Sequence, residues 1–289
     1  MDHSYVNIFL NFKAFGRKLV AQVISLKSFF ILIFFASLIL TSCEKVIDVD
    51  LDDAETLLVI EGTINNHIDT QVVRITSSVK MGASNVFPGI KGAIVTVTDD
   101  LGITYNFRER EPGLYTNRRL RGMPGRTYNL KVAYDGKEYT SVSTMPNVLP
   151  IDSIGFSRTT IFNNTRTSVQ VVFNDPPQVK NFYRFLLTVN GVKSKSIFVY
   201  SDDFSNGNYV TRELFDDDID LKAGDTVFVE MQCISQPVYK YWLGLDQNEN
   251  RGGASITPAN PVSNISNGAL GYFNAHTQQM RMVVVPFLN

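Results

Sequence analysis

Cysteine, histidine and tryptophan are scarce in this chain, and charge of either sign is thin. Two cysteines in 289 residues exclude a disulfide-dense scaffold and a four-thiolate zinc site. The three histidines show no HxxxH or HExxH spacing, so the usual signature of catalytic zinc is missing. A net charge of −1 with 19% charged residues leaves no basic excess for a dedicated nucleic-acid binder. There is no G-x-S-x-G, no phosphate-binding loop and no repeat of fixed period. Ser77-Ser78-Val79-Lys80 spells S-x-x-K, but it ends a strand and has no K-T-G partner. The reading is therefore of a protein that is not an enzyme and carries neither metal nor cofactor. What is abundant is apolar residues, 44% of the chain. That is ample for packed cores and excludes a disordered or collagen-like chain. The length suggests about two domains.

The N-terminus explains part of that apolar content. Lys13, Arg17, Lys18 and Lys27 face only Asp2, and Phe29–Leu40 follows as a 12-residue run, apolar except for Ser37. A helix crossing the ~30 Å hydrocarbon layer needs roughly 20, so the run reads as the core of an export signal. Leu40-Thr41-Ser42-Cys43 then resembles a bacterial lipobox. That resemblance implies cleavage after Ser42 and diacylglyceryl attachment to Cys43, with two or more acyl chains giving a stable anchor. Residues 1–42 are thus expected to be a signal peptide. Its removal leaves 23 basic and 27 acidic residues, a net of −4. Residues 43–56 carry six acids among few apolar residues and read as an acidic tether, able to reach roughly 40 Å when extended.

From residue 57 onward strand follows strand. Leu57–Ile64, Val72–Ser77, Ala93–Asp99, Thr104–Arg108, Thr127–Tyr134 and Lys137–Thr144 are short, rich in Val, Ile, Thr and Tyr, and bounded by turn residues. They predict an immunoglobulin-like or prealbumin-like β-sandwich over 57–146. Met145–Pro150, with two prolines and an asparagine, is the expected boundary. Residues 147–289 predict a second β-rich domain. Its strands are Ile151–Ser157, Thr167–Asn174, Tyr183–Val189, Lys195–Tyr200, Thr226–Cys233, Leu270–Ala275 and Gln279–Val285. Asp135-Gly136 and Asn190-Gly191 are two-residue hairpin signals. One short helix is expected over Tyr239–Gln247, introduced by Ser235-Gln236-Pro237.

Few side chains stand out as candidate contacts. Arg108, Arg110, Arg118, Arg119, Arg121 and Arg126 crowd one hairpin region, offset only by Glu109 and Glu111. They form either a surface for lipid phosphates, an acidic ligand or a partner, or charges scattered over a wet face. Arg118, Arg119 and Arg121 are the leading members. Tyr239 and Trp242 share a helix face, which suits stacking on a ligand or packing on the sheet. Cys233 reads as a buried, inert thiol. Asp216–Asp220 departs from the EF-hand register and reads as a solvated turn.

Leu58-Val59-Ile60-Glu61-Gly62-Thr63-Ile64, Gly92–Asp100, Pro112-Gly113-Leu114-Tyr115, Gly125-Arg126-Thr127-Tyr128, Ile151-Asp152-Ser153-Ile154, Asn260–Ile265 and Gly268–Phe273 are motifs of turns, glycines and strand starts. With the lipobox they resemble an uncharacterised family of Bacteroidota outer-membrane lipoproteins, often encoded beside TonB-dependent receptors. The resemblance runs over roughly 45–285 and supplies no catalytic residues. One local departure is Asn274, where that family commonly has Gly after Tyr272-Phe273. Asn tolerates left-handed angles, so a turn is expected to survive there. The resemblance implies a lipid-anchored outer-membrane protein, on the cell-surface or the periplasmic side. Its expected role is that of a non-catalytic binding or accessory partner of a TonB-dependent receptor barrel. A structural or adhesive surface protein and a surface hydrolase are the competing readings.

Overall fold

In the computed structural model, residues 56–79, 86–161, 164–249 and 260–287 are described. The export signal, Cys43 and most of the acidic tether lie outside them. The described part is mostly β, as the strand pattern predicts.

The first core is built by β1 (Leu58–Asn65), β2 (Gln71–Ser77), β3 (Ile94–Asp99), β4 (Thr104–Glu111), β5 (Leu114–Asn117), β6 (Thr127–Tyr134) and β7 (Lys137–Thr144). Alternation is strict in β7, where Tyr139, Ser141 and Ser143 are buried between exposed neighbours. Ile60, Ile64, Val73, Ile75, Val97, Leu130 and Val132 form its centre. The β6–β7 hairpin turns on Asp135-Gly136, with φ of 50° and 70°. Two successive positive φ angles are what a two-residue turn needs to match the twist of its strands. β4 changes partner midway. Thr104–Phe107 pair with β3, Arg108–Glu111 pair with β5, and a register shift falls between Glu109 and Glu111.

The second core follows the Met145–Pro150 segment. β8 (Ser153–Ile161), β9 (Asn164–Asn174) and β13 (Tyr209–Leu214) make a three-stranded sheet in the order β13-β9-β8. β10 (Phe182–Val189), β11 (Val192–Lys193), β12 (Phe198–Ser201) and β14 (Thr226–Ile234) belong to the large sheet. Val169, Val171 and Phe173 of β9 share a core with Phe185, Leu187, Val227 and Val229 of β10 and β14. Tyr183 is fully buried there, 4.9 Å edge-on to Phe173. Its hydroxyl donates to the buried carboxylate of Asp175, which also accepts the Gly207 N–H at 3.1 Å. Burial, then the Asp175 hydroxyl contact, drives the Tyr183 phenol far above its ordinary range. Tyr183→Phe removes that donor while leaving Asp175 in place. It is expected to cost about 1–3 kcal/mol in urea unfolding; an unchanged midpoint would show the bond is dispensable.

α1 (Gln236–Glu249) lies on the outer face of the large sheet, with Val238 buried against Phe182, Ile234 and Tyr272. It begins three residues earlier than expected. Ser235 precedes it, and the Ser235 carbonyl accepts the Tyr239 N–H at 3.0 Å. Among the described residues, no helix is long and apolar enough to cross a bilayer.

The last strand corrects the expected pattern most. Leu270–Ala275 and Gln279–Val285 are one strand, β15 (Leu270–Val284). Its first half runs parallel to β1, pairing Val59 with Leu270 through Asn65 with His276. Its second half runs antiparallel to β14, pairing Cys233 with Thr277 through Thr226 with Val284. Phe273 and Ala275 therefore complete the first core, while Val285, just beyond the strand, joins the second. Asn274 sits inside this strand rather than at a turn. The backbone there is not left-handed; Asn267 and Gly268, upstream, are. Polar residues at 274–278 suggest a break, yet the strand runs through them because both its faces are covered.

Candidate functional site

Strand alternation separates the charges around β4. Arg108 and Arg110 go to the outer side, whereas the Glu109 carboxylate turns to accept the Gly92 N–H at 2.8 Å and the Tyr115 hydroxyl at 3.4 Å. Arg110 is held by its Nε–H to Thr116 Oγ1 at 3.1 Å. After β5, Asn117 Oδ1 accepts the N–H groups of both Arg119 and Leu120 at 2.8 Å. That turn brings Arg118 and Arg119 beside the β4 pair. Arg108, Arg110, Arg118 and Arg119 thus line one cavity of about 300 Å³, whose other lining residues are neutral. All four side chains are exposed. No acid lines the cavity, so the guanidinium groups repel one another and favour an incoming anion.

The other two arginines of the cluster go elsewhere. Arg121 donates from Nε to the Asn66 carbonyl at 3.2 Å and is not among the cavity residues. Arg126 pairs with Asp99 at 3.2 Å and with Asp100. The Arg126 hydrogen bond holds the Asp100 carboxyl below its ordinary range, and Asp100 raises Arg126 in return. The six-arginine cluster is thus a four-arginine groove plus two structural residues.

Tyr239 and Trp242 do share a face of α1, and that face packs on the sheet. Tyr239 lies 5.0 Å from the Phe182 ring, and Trp242 lies 5.4 Å from Tyr272. Between helix and sheet sits Arg184 of β10, its guanidinium 3.5 Å from the Trp242 ring centroid. Sequence reading missed Arg184. Its partner is 58 residues away on another element, and only the helix-on-sheet packing brings them together. A signal did exist in β15, where Tyr272, Asn274, His276 and Gln278 put polar groups at period two, alternating at first with the apolar Phe273 and Ala275.

The remaining candidates are structural. Cys233 is a free, buried thiol whose pKa burial pushes up to about 11, which leaves it protonated and unreactive. Asp216 accepts the Ser194 hydroxyl and, at 2.8 Å, the Asp218 N–H, forming a turn. Among the described residues, no group of three or more His, Cys, Asp or Glu is placed to hold a metal ion. Cys43 lies outside the described residues.

Residues 44–281 match the family described as a domain of unknown function, DUF4249. The chain belongs to that family. The match covers every described strand from β1 to β14 and most of β15, so the strands that build both cores lie almost wholly within the matched region. It also spans the four-arginine groove of this DUF4249 protein and the helix packed over Arg184. No curated protein matches the chain.

Proposed function

We propose that this DUF4249 protein is an outer-membrane lipoprotein that binds rather than turns over its ligand. In this reading it is anchored through Cys43 and acts as an accessory to a TonB-dependent receptor barrel in nutrient capture or uptake. The observation that carries the binding role is the acid-free groove of Arg108, Arg110, Arg118 and Arg119. Guanidinium forks recognise carboxylate, sulfate or phosphate groups bidentately. The lipobox at Leu40–Cys43 and the acidic segment after it would place such a groove within reach of the membrane surface.

Two measurements test this. Purification of the tagged protein from native outer membrane in mild detergent is expected to bring a TonB-dependent barrel with it. A clean preparation without one would count heavily against the partnership. Retention on immobilised dextran sulfate is expected to fall by on the order of 100-fold in the Arg118→Glu/Arg119→Glu variant, and to weaken steeply with salt. Equal retention of variant and parent would remove the groove from the proposal. Protease treatment of intact cells then distinguishes a surface location from a periplasmic one.

A further inference from the structure

The outer face of the large sheet gathers polar side chains beneath α1. The pairing register puts Arg184 beside Gln232, and Gln232 beside Gln278. Glu61 and Thr63 of β1 stand beside Tyr272 and Asn274 of β15. His276 follows on the same face of β15. Tyr241 and Trp242 of α1 close over Tyr272 at 5.0 and 5.4 Å between ring centroids.

Three polar atoms in this patch have no hydrogen-bond partner: Trp242 Nε1, Asn274 Oδ1 and His276 Nδ1. Asn274 is 1% exposed and His276 3%. Only two other buried orphan atoms occur among the described residues, and both belong to arginines elsewhere. Leaving a buried donor or acceptor unpaired forfeits the hydrogen bonds it would make in water. Three such atoms on the α1-covered side of the sheet are therefore an arrangement suited to a ligand's polar groups.

Arg184 points the same way. Its one hydrogen bond reaches Gln232 Oε1 at 3.5 Å, and it forms no ion pair among the described residues. Glu61 and Glu230 act on it only through space. The side chain is half-buried rather than sealed, as are Glu61, Tyr241 and Trp242, so the guanidinium can be approached. A half-buried guanidinium with one long hydrogen bond and no ion pair among the described residues suits an anion. The two nearby glutamates oppose a dianion, which leaves a monoanion favoured. The rings of Tyr241, Trp242 and Tyr272 suit an apolar body.

We propose that the site between α1 and the β10–β14–β15–β1 face binds a small organic monocarboxylate, with its carboxylate on Arg184 and its apolar body against Trp242. This site is independent of the arginine groove, which is exposed, carries four cations and suits multiply charged anions.

Trp242 is the sole tryptophan in the chain, so its emission reports on this site alone. The full chain, purified in a non-ionic detergent, is titrated with hexanoate and phenylacetate. Hexylamine and inorganic phosphate serve as controls. A saturable change in Trp242 emission is expected with the two carboxylates and with neither control. Arg184→Gln is expected to weaken binding at least about tenfold, and Glu61→Gln to tighten it about threefold by removing a repelling charge. A gain in affinity cannot arise from misfolding. Arg118→Glu/Arg119→Glu is expected to leave the titration unchanged, which separates this site from the groove. The proposal is overturned by an absence of saturation with both carboxylates, by an equal response to phosphate, by undiminished affinity in Arg184→Gln, or by weaker binding in Glu61→Gln.

Discussion

Replacing Gly271 with valine is expected to lower the stability of the protein by on the order of 4 kcal/mol or more in urea unfolding. Gly271 lies at φ +101°, a conformation that side chains rarely adopt. A Cβ there would also stand 2.1 Å from the carbonyl oxygen of Ile60, its neighbour in the β1–β15 register. Both partners are backbone, so neither can rotate away. Relief requires the strands to separate at the point where β15 enters the first core. The buried Phe273 and Ala275 follow within four residues, and their contacts would loosen with it. Gly155 in β8 provides the comparison, because a Cβ there meets only the Gln170 side chain at 3.6 Å. Gly155→Ala is expected to change stability by no more than about 1 kcal/mol. Similar midpoints for the two variants would show that the β1–β15 pairing adds little.

Acidification from pH 6.5 to 4 is expected to remove on the order of 3 kcal/mol of stability through one side chain, His276. Its ring is buried in β15, and burial lowers its pKa to about 4, against the partial opposition of a hydrogen bond from its Nε2 to Gln278 Oε1 at 3.3 Å. The folded state therefore keeps the ring neutral where the unfolded chain already binds a proton. Stability from this source is complete above about pH 6.5, the ordinary value. It falls as the pH drops towards the folded value and is lost below it. Asp100, Asp203 and Asp225 are held below their ordinary range by Arg126, by Lys180 and by the Lys222 backbone respectively. Their contributions fade only at lower pH. Urea midpoints measured every half unit across the window should slope in the parent protein and run nearly flat in His276→Gln. A parallel slope in both would assign the acid sensitivity elsewhere.

Much of the local architecture was readable from residue order. Asp135-Gly136 and Asn190-Gly191 turn as hairpins because both positions accept positive φ. Alternation buries Val169, Val171 and Phe173 of β9 as their polarity suggests, whereas β7 buries Ser141 and Ser143 and exposes Val142, an order that the pattern of polarity does not give. The strands at Leu114–Asn117 and Tyr209–Leu214 escaped notice. The first has only four residues, and the second is led by the exposed Tyr209. Both are held by their neighbours rather than by their own pattern. Of the arginine cluster, proximity in sequence identified the members but not the partition. The β4 register shift and the Asn117 turn decide that Arg118 and Arg119 join Arg108 and Arg110, while Arg121 and Arg126 are taken up by Asn66, Asp99 and Asp100.

Residue order alone determined the β character of the chain, its hairpins, its single helix among the described residues and the inert setting of Cys233. All of these follow from interactions within a few positions, where side-chain chemistry and backbone angles act directly. Tertiary structure decided that β15 serves both cores, that Glu109 turns away from the groove, and that Arg184 lies under Trp242 on the sheet face that carries Asn274 and His276. Those outcomes depend on which surfaces meet. Val59 and Leu270 are paired across more than two hundred residues, and no local preference of either segment favours the other. Only the burial of both faces of β15 makes that pairing the stable one.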